Sequence, residues 1–112
     1  MAEFTDEEEV LCGASCYSKL FYMNEKFDNL PQEVKDELKI MCVLYTEDIG
    51  GTLQLFYDEE GNLNFRSDRN SDDLLYDEIG SVLKIRQYQR EKKELLEQLE
   101  NYYKVGKESG LF

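Results

Sequence analysis

The chain has 112 residues, with thirteen Lys and Arg against twenty-five Asp and Glu, no histidine, and a net charge of −12. That length suits one domain with one modest core, and 41% hydrophobic with 12% aromatic residues is enough apolar material to fold it. A body so negative repels phosphate backbones and anionic surfaces, so neither nucleic acid nor membrane is an expected partner.

Thr5 followed by Glu8 reads as a capping box, and the acidic run 6–9 suits a helix N-terminus. Val10, Leu11, Ala14, Tyr17, Leu20 and Phe21 then recur at spacings of three and four, which predicts a first helix over residues 6–23. After a connector, Pro31 suits the first turn of a second helix over residues 31–49, whose stripe is Val34, Leu38, Met41 and Tyr45. Gly50–Gly51 stops it, because glycine takes the left-handed cap conformation without strain. Leu53, Leu55 and Tyr57, then Leu63 and Phe65, alternate with more polar neighbours around Asp58-Glu-Glu-Gly-Asn62, predicting a β-hairpin over residues 52–67.

Asn70 or Ser71 can cap a last helix that opens on Asp72–Asp73 and runs over residues 72–104. One of its stripes is Leu75, Ile79, Val82 and Leu83. A second is Ile85, Tyr88, Leu95, Leu99 and Tyr102, with Lys92 in the remaining slot. The tail 105–112 looks frayed. The expected fold is therefore α+β, mostly α, in the order α-α-β-β-α, as a single domain over residues 1–112.

Two elements look incomplete in one copy. A helix of that length would be roughly 50 Å long, against a radius of gyration near 13 Å for a domain of this size, so it must bend near Gly80 or project. A lone two-stranded hairpin is marginal in water and needs helices, or another edge, against it. Ile85, Tyr88, Lys92, Leu95, Leu99 and Tyr102 are accordingly the candidate interaction surface, for a homo-oligomer or another protein. The alternative is that Leu95, Leu96 and Leu99 pack on the first two helices of their own chain.

The charge is uneven. Residues 1–60 hold four basic and fifteen acidic side chains, and residues 61–112 hold nine and ten. Lys84, Arg86, Arg90, Lys92 and Lys93 stand against Glu91 alone, so an acidic front and a locally basic helix could attract each other within or between molecules, although a charge run is commonly a solvated face. An acidic decoy for a nucleic-acid-binding protein is one alternative role.

The inventory for chemistry is thin. Without histidine the usual base near neutral pH is missing, and there is no phosphate-cradling glycine motif and no glycine-flanked nucleophilic serine. A small hydrolase built on carboxylates or a bound metal is the enzymatic alternative, and no catalytic residue can be named for it. Cys12 and Cys16 share a helical face and Cys42 could join them, but the spacing is not that of a zinc ribbon, and buried cysteines are commonly small hydrophobes. Asp68-Arg-Asn70-Ser-Asp72-Asp73 imitates the start of a calcium loop, then fails where the sixth position is Asp73 instead of Gly and the twelfth is Ile79 instead of Glu. No metal and no cofactor is expected. The acidic start is unlike a signal peptide, the longest apolar run is Ile40 to Tyr45, and an odd cysteine count suits reduced thiols, so the expected location is the cytoplasm.

Taken together, Leu38-Lys-Ile-Met-Cys-Val-Leu-Tyr-Thr-Glu-Asp-Ile-Gly-Gly51, Phe56-Tyr-Asp-Glu-Glu-Gly-Asn-Leu63, Leu74-Leu-Tyr-Asp-Glu-Ile-Gly80, Gln89-Arg-Glu-Lys-Lys-Glu-Leu-Leu96 and Tyr102-Tyr-Lys104 resemble a family of short, acidic, uncharacterised proteins, a domain of unknown function from clostridial-type Gram-positive bacteria. The resemblance spans about Leu11 to Lys104 and implies a bacterial, cytoplasmic, single-domain protein. It carries no activity, ligand or site residue with it.

Overall fold

The computed structural model describes residues 9–111. A strand β1 (Glu9–Ser15) turns into β2 (Leu20–Met23), a single 3-10 turn follows (Glu25–Phe27), and then comes a helix α1 (Gln32–Asp48). A hairpin of β3 (Thr52–Tyr57) and β4 (Leu63–Asp68) leads through a loop to α2 (Glu78–Glu91) and α3 (Lys93–Glu108). The strands form one antiparallel sheet in the order β2-β1-β3-β4.

The expected α-α-β-β-α order is thereby corrected to β-β-α-β-β-α-α. Where the first helix was expected, residues 9–23 form two strands; the proposed Thr5–Glu8 capping box lies outside the described residues. The reason is tertiary. The β3–β4 hairpin needs a further edge partner, and β1 supplies it from the same chain, with Cys12 opposite Leu55 and Ala14 opposite Leu53. A bulge between Val10 and Cys12 inserts Leu11 as an extra residue. Leu11 and Cys12 are consequently both fully buried, which blurs the period of two that would have announced a strand. Gly13 is needed in the middle of the sheet, since a Cβ there would stand 2.9 Å from the Leu53 carbonyl oxygen. The turn after β1 is held by the Ser15 hydroxyl, which accepts from the Tyr17 and Ser18 amides, and by Lys19 at φ 58°.

The last helix is also corrected. Residues 69–77 are a loop, and Asp77 rather than Asn70 or Ser71 caps α2, its carboxylate accepting from the Gly80 amide at 2.8 Å. The bend falls at Lys92 (φ −105°, ψ 19°), not at Gly80, and divides the expected rod into pieces of about 21 and 24 Å.

All three helices cover one face of the sheet. From α1, Leu38, Met41, Cys42 and Tyr45 enter a core shared with Leu53, Leu55 and Tyr57. Helix α2 lies antiparallel beside α1, joined by Lys84–Asp48 at 3.2 Å, by the Tyr88 hydroxyl donating to the Met41 carbonyl at 3.3 Å, and by Lys92–Glu37 at 2.9 Å. Helix α3 closes the far end. The Tyr103 ring stacks on Tyr57 with centroids 4.0 Å apart, the Tyr57 hydroxyl donates to the Leu99 carbonyl at 3.0 Å, and Glu100 accepts the Leu63 amide at 2.7 Å. That last bond satisfies one donor on the outer edge of β4, a place where an unpaired edge invites aggregation.

Candidate interaction surface

The six residues of the candidate interaction surface lie close to the interior of their own chain. Tyr88 and Leu99 are buried, while Ile85, Leu95 and Tyr102 are half-buried against the same core. Lys92 is half-buried in its ion pair with Glu37.

The other stripe of the same stretch faces solvent. Leu74 is 91% exposed, Leu75 92% and Ile79 77%, and Val82 and Leu83 are exposed beside them. Helix α2 is inverted relative to an ordinary amphipathic helix. Its inward positions carry the hydroxyls of Ser81 and Tyr88, and Ser81 is buried, whereas Ile79, Val82 and Leu83 point outward. The inward polar groups have partners. The Ser81 hydroxyl lies 2.6 Å from that of Tyr45, 2.9 Å from that of Tyr76 and 3.2 Å from that of Ser67. Burial pushes the Tyr45 phenol up to about 12, against the pull of the Ser81 hydroxyl. Burial acts on Tyr76 in the same direction, but bonds from Ser67, Ser81 and Tyr45 together hold that phenol below its ordinary value.

The loop ahead of α2 is pinned on both sides of its two leucines. On one side the Tyr17 hydroxyl donates to the Asp73 carboxylate and accepts from the Asn70 amide at 3.0 Å. The Asp73 bond raises the Tyr17 phenol, and the same bond lowers the Asp73 carboxyl. On the other side Tyr76 is anchored in the hydroxyl cluster. Arg69 crosses the loop, donating to the Asp73 carbonyl at 3.0 Å and reaching Glu78 at 2.8 Å. Leu74 and Leu75 project from a braced segment.

Toward the C-terminal end of α2 the patch is continued by two cations, while Asp77 and Glu78 form an acidic corner at its other end. Arg86 and Arg90 are exposed on the same side of α2 as Ile79 and Leu83, at helical spacing. Neither makes an ion pair among the described residues. A model of the family of unknown function DUF6145 matches residues 8–109.

The chain belongs to the DUF6145 family.

No curated protein and no solved structure matches it. In this DUF6145 chain no group of three or more Cys, Asp or Glu side chains among the described residues is placed to hold a metal. Cys12 and Cys42 meet in the core, and the bond to Cys42, followed by burial, drives the Cys12 thiol well above its ordinary value, so it is a poor nucleophile. Cys16 lies apart in the β1–β2 turn, half-exposed beside a cleft of about 450 Å³ with Lys19, Val43 and Glu47. A second cleft of about 460 Å³, lined by Tyr17, Asp48, Asp73 and Leu75, borders the apolar patch. No helix is long and apolar enough to cross a membrane among the described residues.

In the sequence Leu75, Ile79, Val82 and Leu83 form a stripe whose orientation local spacing leaves open. A usable signal was present at Ser81. It lies between Ile79 and the Val82–Leu83 pair, on the side of the helix where Ile85 and Tyr88 follow at i+4 and i+7, and the opposite side is the outer one.

Proposed function

We propose that this DUF6145 protein is a non-catalytic, cytoplasmic protein-interaction module that docks through the outer face of α2 and the leucines preceding it. The supporting observation is the run of five exposed large apolar residues, Leu74, Leu75, Ile79, Val82 and Leu83, presented on a braced loop and helix. A cluster of exposed large apolar residues is a recurrent mark of an interaction site, and bracing lowers the ordering cost of binding.

The test is affinity capture from native cytoplasm with the full chain and with Leu75→Glu combined with Leu83→Glu, both checked for fold by circular dichroism. A partner retained by the native chain and lost with the folded variant supports the reading. Equal recovery of the same proteins by both refutes it.

A further inference from the structure

We infer that the face formed by Ile79, Leu83, Arg86 and Arg90 takes the outer face of α1 from a second copy of this chain, antiparallel, in a heterologous contact. This rests on the docking reading above and names its partner.

Helix α1 has an exposed stripe of its own. Glu33, Asp36, Ile40 and Leu44 are all exposed and follow one another at spacings of three, four and four, so they share one side of the helix. That side is opposite to Leu38, Met41, Cys42 and Tyr45, which pack on the sheet. Asp36 also accepts from Gln32 at 2.9 Å, which leaves its charge in place. Ile40 is 59% exposed and Leu44 53%, although both are large and apolar. Two carboxylates followed by two aliphatic residues is the complement of two aliphatic residues followed by two guanidinium groups.

The spacings agree as well as the chemistry. From Glu33, the α1 stripe places its members three, seven and eleven residues on. Read backward from Arg90, the α2 stripe places Arg86, Leu83 and Ile79 four, seven and eleven residues on. Antiparallel packing therefore sets Glu33 against Arg90, Asp36 against Arg86, Ile40 against Leu83 and Leu44 against Ile79. The offsets differ by no more than one residue, about 1.5 Å, over about 16 Å of helix. Glu47 falls beyond Ile79, toward the acidic Asp77–Glu78 corner, and marks where the matched stretch ends.

The two stripes cannot satisfy each other within one molecule. There α1 and α2 meet through different residues, Glu37, Met41, Tyr45 and Asp48 against Lys92, Tyr88, Ser81 and Lys84. Like-with-like pairing between copies is also poor. Antiparallel α2 on α2 lays Arg86 and Arg90 over Leu83 and Ile79 and strips them of water without a counter-charge. Antiparallel α1 on α1 brings Glu33 toward Glu47, which is repulsive. Of these arrangements the crossed pairing gives Ile40 and Leu44 apolar neighbours and sets Glu33 and Asp36 against opposite charges, with Glu47 left outside the matched stretch. One helix-on-helix contact is small, so the association is weak and reversible, and a heterologous contact closes into a ring or continues as an open chain.

The test is sedimentation equilibrium of the full-length chain from about 10 μM to about 1 mM, the range in which such contacts register. Three variants accompany it: Glu33→Lys with Asp36→Lys, Arg86→Glu with Arg90→Glu, and all four together. The native chain is expected to rise above monomer mass with concentration. Each double variant should weaken association by about tenfold or more, and the quadruple variant should recover it with the charges exchanged. Net charge alone predicts a different order, because the first double variant is less negative than the native chain and would then associate more. A native chain that stays monomeric throughout overturns the self-pairing while leaving the capture result with Leu75→Glu and Leu83→Glu to stand or fall by itself. A rising mass that ignores both double variants overturns this pairing and places the contact elsewhere.

Discussion

The Lys92 ammonium donates to the Glu37 carboxylate at 2.9 Å, at the residue where α2 stops and α3 begins. The pair ties the corner between two helices to the first half of α1. Farther along the two helices, Tyr88 and Met41, then Ser81 and Tyr45, continue the seam. The corner lets α3 turn back to bury Leu99 and Tyr103 instead of projecting from the body.

Both members of the Lys92–Glu37 pair are a third or more exposed, so solvent screens their attraction. A double-mutant cycle with Lys92→Ala and Glu37→Ala should return a coupling of about 0.5 kcal/mol, read from urea midpoints. A coupling indistinguishable from zero would assign the corner to the packing of Tyr88 and Leu99 alone.

The hydroxyl cluster is a stronger constraint. Ser81→Ala removes the group that meets Tyr45, Tyr76 and Ser67 and leaves phenols underpartnered in a buried site. A loss of about 1–3 kcal/mol is expected by denaturant unfolding. Tyr76→Phe together with Ser81→Ala should cost less than the sum of the two single changes, since both remove members of one network.

Alkaline pH should unfold the protein through its buried phenols. Burial holds Tyr45 at about 12 and raises Tyr57 further, against about 10 for an unfolded tyrosine. Between those values the unfolded chain binds fewer protons than the native one. The stability contributed by Tyr45 and Tyr57 is therefore full below about pH 10 and falls from there toward pH 12, opposed only by the lowered Tyr76. Tyr57→Phe should flatten that decline relative to the native chain, whatever it costs at neutral pH. An equally steep decline in the variant would place the alkaline transition elsewhere.

Glycines at the two turns should differ in their tolerance of alanine. At Gly51 (φ 67°) a Cβ would lie 2.3 Å from the Asp68 carbonyl oxygen, a backbone atom that cannot yield without moving β4. At Gly61 (φ 84°) the nearest atom is Cγ of Lys104 at 2.9 Å, on a flexible side chain. Both variants carry left-handed strain. Gly51→Ala should cost the more of the two by at least about 1 kcal/mol in thermal or urea unfolding.

Leu75→Ser and Leu83→Ser should leave stability within about 0.5 kcal/mol of the native chain, because these side chains contribute little to the fold. They should also reduce binding of a hydrophobic dye. A large destabilisation would show that the patch is covered in the intact protein.

Parts of this architecture follow from local signals. The stop at Gly50–Gly51, the acidic turn Asp58–Asn62 and the alternation of Leu53, Leu55 and Tyr57 act over a few residues each, and α1 and the β3–β4 pair form there. Residues 10–21 are different. Val10, Leu11, Ala14, Tyr17, Leu20 and Phe21 satisfy helical spacing, and the bulge at Leu11 disguises the strand. The loop 69–77 reads as the opening of a helix because Asp72 and Asp73 are acceptable there. Asp73 is instead taken by Tyr17, fifty-six residues away.

The sequence by itself determined the composition of the surface: net charge of −12, most of it before Gly61, with a basic band along residues 84–93. It also determined that the stretch from Leu74 to Leu83 would be strongly apolar. Which side of α2 faces water was decided only by the tertiary structure. Ser81 finds three hydroxyl partners inside, and Ile79, Val82 and Leu83 occupy the side that remains. The same holds for β1, which is a strand because β3 has an open edge to fill. Helical spacing counts residues along one chain segment, whereas strand pairing and hydroxyl partners come from segments far apart in sequence, and their free energy exists only once the chain has closed on itself.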